Sequence, residues 1–121
     1  MKIVIVFAAL TLSGCMSMPT QQEIASADYG AYPSQYQQIV RGYFQATLKD
    51  PESAQYASIS KPVKYSTRDW GTMRYGYLVC VAINAKNSYG AYTGFDHVGL
   101  LIHNDRVVEN FKRETWGTTC D

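Results

Sequence analysis

From residue 73 to residue 84 the chain alternates position by position. Met73, Tyr75, Tyr77, Val79, Val81 and Ile83 share one parity, and Arg74, Gly76, Leu78, Cys80, Ala82 and Asn84 the other. A period of two sends successive side chains to opposite faces of extended backbone, so this run predicts the longest strand of the chain. Its second parity turns apolar midway, at Leu78, Cys80 and Ala82. The centre of the strand is therefore expected to be covered on both faces. Such a strand needs paired neighbours and a covering layer, and the flanking residues supply them.

Ahead of it the period is helical. Tyr36, Ile39, Val40, Tyr43, Phe44 and Leu48 make one apolar stripe, with Gln35, Gln38, Arg41 and Gln45 off it. That is the pattern of a helix lying on a sheet. Pro33, then Ser34 with Gln37 three residues on, reads as a capping box that opens the helix at Ser34. Asp50 before Pro51 is pushed out of the α region and stops it, and Asp50 can cap a short turn with Pro51 at its first position. A short edge strand is expected within residues 56–65, with Pro62 marking the edge. Residues 66–72 read as a loop. Residues 95–103 and 106–111 form a hairpin around Asn104-Asp105, a pair that tolerates the positive φ of a tight turn. One amphipathic helix at the N-terminus of the domain, packed on a small, mainly antiparallel sheet of about four strands, is an α+β fold.

The most distinctive stretch between these strands is 84–94, Asn-Ala-Lys-Asn-Ser-Tyr-Gly-Ala-Tyr-Thr-Gly. Asn84, Asn87 and Ser88 bring amide and hydroxyl groups, and Tyr89 and Tyr92 bring rings, a set suited to holding a glycan or a peptide. The alternative is architectural: Asn84 and Asn87 satisfy the loop's own backbone while the tyrosines cover the core. With residues 48–54 (Leu-Lys-Asp-Pro-Glu-Ser-Ala) and Val79-Cys80-Val81, the stretch resembles a pattern of short exported bacterial proteins of uncharacterised function. That resemblance carries no activity with it.

Other chemistry finds little support. His97 and His103 share parity on one strand, but six residues at about 3.3 Å hold them roughly 20 Å apart, so no shared metal is expected. Asp50, Glu52, Asp69, Asp96, Asp105 and Glu109 fall mainly in turns and caps, where short acidic residues are common. The chain contains neither a Gly-x-Ser-x-Gly elbow nor a P-loop. A non-catalytic protein without a cofactor is the expectation.

The first fifteen residues run in a specific order: Lys2, an apolar run over 3–12, then Leu12-Ser13-Gly14-Cys15. This order resembles the signal peptide and lipobox of bacterial lipoproteins. The resemblance implies that residues 1–14 are removed and that Cys15 carries an S-diacylglycerol and an N-acyl chain. Two other readings compete, an uncleaved transmembrane helix and an ordinary secretory signal. The run is roughly half the 20 residues a span needs, and Leu12-Ser13-Gly14 departs from the Ala-x-Ala preference of ordinary cleavage sites. Met16 and Ser17, with no aspartate after Cys15, imply by the same resemblance a place in the outer membrane, the domain facing the periplasm.

Three further expectations depend on that leader. Cys80 and Cys120 remain as an even pair in an oxidising compartment, which favours a disulfide. The rival, a catalytic Cys80 thiolate, suits an apolar strand poorly. Residues 15–33, small and polar without sustained period, read as the lipidated cysteine and a flexible tether, which leaves 34–121 as the domain. Without Lys2 the basic residues equal the ten acidic ones. A neutral domain argues against nucleic acid and leaves the membrane, through its lipid, and an envelope protein or glycan as partners. An outer-membrane-anchored binding or assembly module is the leading expectation. The alternatives are an inhibitor or exclusion factor against cell-wall hydrolases or phage, and a cell-wall or glycan enzyme.

Overall fold

The computed structural model describes residues 20–112 and Cys120. Helix α1 (Gln21–Ala25) and helix α2 (Tyr36–Thr47) precede a 3₁₀ turn at Pro51–Ser53. Strands β1 (Gln55–Ile59), β2 (Val63–Asp69), β3 (Thr72–Asn84), β4 (Asp96–His103) and β5 (Arg106–Lys112) follow. All pairings are antiparallel. β4 lies on one side of β3, with β5 beyond it, while β1 and β2 share the other side end to end. β1 pairs with residues 81–84 of β3 and β2 with residues 72–78.

The sheet has five strands where about four were expected. The difference lies around Pro62. The single edge strand expected within 56–65 is interrupted at residues 60–62, and its second half extends through the residues read as a loop. Proline lacks a ladder donor, so pairing breaks there. β2 then resumes and closes on β3 through Trp70-Gly71, with φ of 48° and 83°. Positive φ at both central residues is the signature of a type I′ turn, whose twist matches that of the strands it joins.

The covering helix follows its predicted stripe. Val40 and Phe44 are buried against Val79, Val81 and Ile83 of β3 and Val98, Leu100 and Ile102 of β4, with Tyr36, Ile39, Tyr43 and Leu48 packed around them. Burying an aliphatic or aromatic side chain of this size stabilises by about 1.5–3 kcal/mol, so this face holds the layers together. The start of the helix differs from expectation. Ser34 and Gln35 lie in a turn in which the Tyr36 N–H donates to the Pro33 carbonyl, and Gln35 caps the helix without a side-chain bond. Pro33 is buried. That turn, not a capping box, fixes the start.

Nor is this helix the first element. The capping box sits at α1, where Thr20 accepts from the Glu23 N–H and the Glu23 carboxylate accepts from the Thr20 N–H. The described part of the expected tether, residues 20–33, lies on the sheet. Tyr29 packs edge-on against Tyr75 and Tyr77, Tyr32 against Tyr77, and Arg68 pairs with Glu23 at 2.8 Å. The rings of Tyr29, Tyr32, Tyr75 and Tyr77 are thus used in packing.

The opposite face is concave. Rings of Tyr65 on β2 and Phe111 on β5 stand 5.8 Å apart although β3 and β4 lie between those strands. A flat sheet would separate them by about 14 Å, three strand spacings. Glycine permits the curl: a Cβ on Gly76 would fall 2.5 Å from the Ile102 carbonyl oxygen, and one on Gly99 would fall 3.1 Å from the Cys120 sulfur. Cys80 and Cys120 form the expected disulfide on this face, with Cα atoms 5.5 Å apart. A loop of 40 residues closed this way stabilises by about 4 kcal/mol through the unfolded chain.

Candidate functional site

The β3–β4 connection stands at the end of the sheet where β3 finishes and β1 begins, and it is built from its own polar groups. Asn87 is its hub. The Asn87 side-chain oxygen accepts from the Tyr89 and Ala91 N–H groups, its own N–H donates to the Ala91 carbonyl, and its carbonyl accepts from the Gly90 N–H. Lys86 and Tyr92 form an isolated antiparallel bridge across the base, with the Lys86 ammonium 5.6 Å from the centre of the Tyr92 ring. Gly90 takes a φ of 76° and Gly94 of 108°, conformations that favour glycine.

Two further bonds fasten the loop to the 3₁₀ turn. The Lys86 N–H donates to the Ser53 hydroxyl at 2.8 Å, and the Tyr92 hydroxyl donates to the Ser53 carbonyl at 2.7 Å. The Ser53 hydroxyl in turn donates to the Asp50 carbonyl at 2.7 Å. The two stretches noted in the sequence, 48–54 and 84–94, therefore meet in one structure. Spacing alone could not show this, because Ser53 and Tyr92 are 39 residues apart.

The five loop residues expected to bind divide into three groups. Asn87 satisfies the loop's own backbone, whereas Tyr92 is 41% exposed and bonds the 3₁₀ turn instead of covering the core. Asn84 ends β3 opposite Gln55, and its side-chain oxygen is buried without a hydrogen-bond partner. Ser88 and Tyr89 point outward, and Tyr89 is 94% exposed. Phe95, half exposed just past Gly94, joins them and was not singled out in the sequence. A large apolar residue directly before the first strand position of β4 was the available signal.

Elsewhere, two open hollows of about 190 Å³ each lie between β2 and β5 and between α2 and β1. Both fall below the roughly 300 Å³ at which small-molecule pockets begin. Among the described residues no three His, Cys, Asp or Glu side chains gather as a metal would need. His103 lies 2.9 Å from the Tyr75 carbonyl, so its ring is tied to β3.

Electrostatic perturbation concentrates at the other end of the sheet. The Thr20 N–H, then the Arg68 guanidinium, hold the Glu23 carboxyl below the usual carboxylate range. Desolvation pushes the Tyr75 hydroxyl upward, with Glu23 and Tyr29 acting the same way. That hydroxyl donates to the Glu23 carbonyl at 3.1 Å. These contacts fasten residues 20–33 to the β2–β3 hairpin. Residues 1–14, the Cys15 attachment site and residues 16–19 of the expected tether lie outside the described residues. Comparison with protein-family models, with curated proteins and with solved structures finds no match to this chain.

Proposed function

We propose that this chain is a lipoprotein anchored in the bacterial outer membrane by acyl chains on Cys15, with a periplasmic domain that binds or assembles an envelope partner. The leader supports the anchor: Lys2, an apolar run and Leu12-Ser13-Gly14-Cys15. Several acyl chains at about 0.8 kcal/mol per buried methylene make such an anchor effectively permanent. One observation carries the binding reading. Tyr89 stands 94% exposed on a loop whose backbone is already satisfied through Asn87 and pinned through Ser53. A rigid, exposed tyrosine loses little entropy when a partner covers it, the property that makes this residue a frequent recognition contact.

Two experiments test the reading. Palmitate labelling and membrane fractionation of the wild type and Cys15→Ser read the anchor: label on Cys15 supports it, and equal labelling of both proteins sinks it. A photo-crosslinking amino acid at position 89 in living cells reads the loop, and a discrete adduct that Tyr92→Ala weakens is the expected result. If no adduct forms while the domain stays folded, the loop is architecture only. The same protruding loop also suits an inhibitor or exclusion factor. That version predicts an adduct with a cell-wall hydrolase or a phage component in place of a resident envelope protein.

A further inference from the structure

Trp70 is a residue that the fold does not need where it stands. It is 100% exposed, so its ring contributes no burial, and it holds a φ of 48° at the first central position of a type I′ turn. That position favours Asn, Asp or Gly, and a bulky side chain there is an outlier. Strain without local compensation points to use elsewhere.

The chain's own path identifies the use. The Glu23 carboxylate oxygen accepts from the Thr20 N–H at 2.7 Å and from the Arg68 guanidinium at 2.8 Å. That guanidinium also donates to the Gly71 carbonyl at 3.3 Å. Thr20 is thereby fastened beside the Trp70-Gly71 turn. Cys15 lies five residues before Thr20. A fully extended chain spans at most about 3.6 Å per residue, so five residues of chain bound the reach of an anchor on Cys15 to about 18 Å from that point. The hairpin end also runs past the paired part of β4, whose last partner on β3 is Tyr77, five residues after Thr72. Ile24 of α1, half exposed, adds a second apolar group to this end.

We infer that the β2–β3 turn docks on the membrane that holds the lipid anchor, with the Trp70 indole seated among the lipid headgroups. The inference rests on the Cys15 anchor proposed above. Tryptophan favours that depth because its ring is apolar and its N–H can still reach a polar partner. The charges nearby are already paired, Arg68 with Glu23 and Arg74 with Asp69 and Glu109, so the contact is aromatic and independent of anionic lipid. It also orients the domain. β3 runs 13 residues away from this turn, about 40 Å of strand, before it reaches Asn84 and the Tyr89 loop. The loop is displayed away from the bilayer, toward whatever the domain meets.

The test uses the full lipidated chain carrying Trp116→Phe, so that Trp70 is its one indole, in phosphatidylcholine vesicles with brominated acyl chains. The expected result is Trp70 emission shifted to shorter wavelength, quenched by the bromines and shielded from aqueous iodide. Replacing part of the lipid by phosphatidylglycerol should leave these readings unchanged. Trp70→Asn, which suits the turn, should raise the melting temperature and, having no indole, supplies the emission blank. Vesicle-bound, lipidated protein whose Trp70 is quenched by iodide and untouched by bromines overturns the docking while the anchor stands. Absence of acyl mass on Cys15 overturns the anchor, and the docking with it.

Discussion

The β2–β3 and β4–β5 hairpins close on turns of the same kind, two residues with positive φ at both positions. Trp70 and Gly71 take 48° and 83°, and Asn104 and Asp105 take 50° and 62°. At the second hairpin every residue choice agrees with the backbone. Asn and Asp tolerate the left-handed region, and the Asn104 side chain accepts from the Ala31 N–H at 3.4 Å, helping seat the N-terminal segment. At the first hairpin Gly71 agrees and Trp70 does not. Their surroundings differ as well. β4 carries Leu100, Leu101 and Ile102, all fully buried, whereas the tip of β2–β3 is held by half-exposed ion pairs and by Glu23. One hairpin is therefore framework. The other is an exposed end fastened by polar contacts, the kind of place where function accumulates.

The disulfide offers the strongest way to break this contrast. Cys120→Ser should cost about 4 kcal/mol in urea unfolding, less whatever structure the reduced chain retains. Amide exchange should rise most around Gly99, which the Cys120 sulfur adjoins, and least at the Trp70 turn. Equal acceleration in both hairpins would mean that they unfold as one unit.

Gly76→Ala comes next. A Cβ there meets the β4 backbone, which cannot rotate away as a side chain can, so a loss of about 1–3 kcal/mol is expected. The Tyr65–Phe111 contact should open as the curl relaxes, visible as nuclear Overhauser effects lost between the two rings. A variant of unchanged stability with that contact intact would show that Gly76 does not set the curl.

The turns should answer substitution with opposite signs. Asn104→Ala should destabilise by about 1 kcal/mol, since alanine resists positive φ, and Trp70→Asn should stabilise by a similar amount. Thermal unfolding of the two variants decides it. If Trp70→Asn destabilises, the indole supports the fold after all.

Acid gives the smallest effect and separates the hairpins most cleanly. The Glu23 carboxyl titrates below the usual range in the folded chain, so its contribution is present above the unfolded value and is lost as pH falls through the folded one. Acidification should loosen α1 from the β2–β3 hairpin and leave β4–β5 unchanged. The near-ultraviolet signal of Tyr29 and Tyr75 reports it, and Glu23→Gln should flatten the transition.

What was legible in the residues, and what was not, follows the range of the interactions. The stripe of α2, the 73–84 alternation and the Asn104-Asp105 turn each reside within a few consecutive side chains, and all three appear in the structure. β2 escaped notice because Ser66, Thr67 and Arg68 are polar on both parities, and because Trp70 conceals a turn that Gly71 alone announces weakly. α1 escaped for a different reason: its capping box, Thr20 to Glu23, is legible, but a five-residue helix has no period to detect. Its position depends on Arg68, 45 residues away. In the candidate loop the residue types were visible and their division of labour was not, since Tyr92 and Lys86 are committed by Ser53.

The residue order thus carried the long strand, the helix that covers it, the even cysteine pair and the expectation of a lipid anchor at Cys15. Local periodicity and chemistry decide those. Tertiary structure alone decided the curl at Gly76 and Gly99, the docking of residues 20–33, and the placement of Trp70 and Tyr89 at opposite ends of β3. Each of these needs groups far apart in the chain to meet, and only the closed sheet brings them within reach.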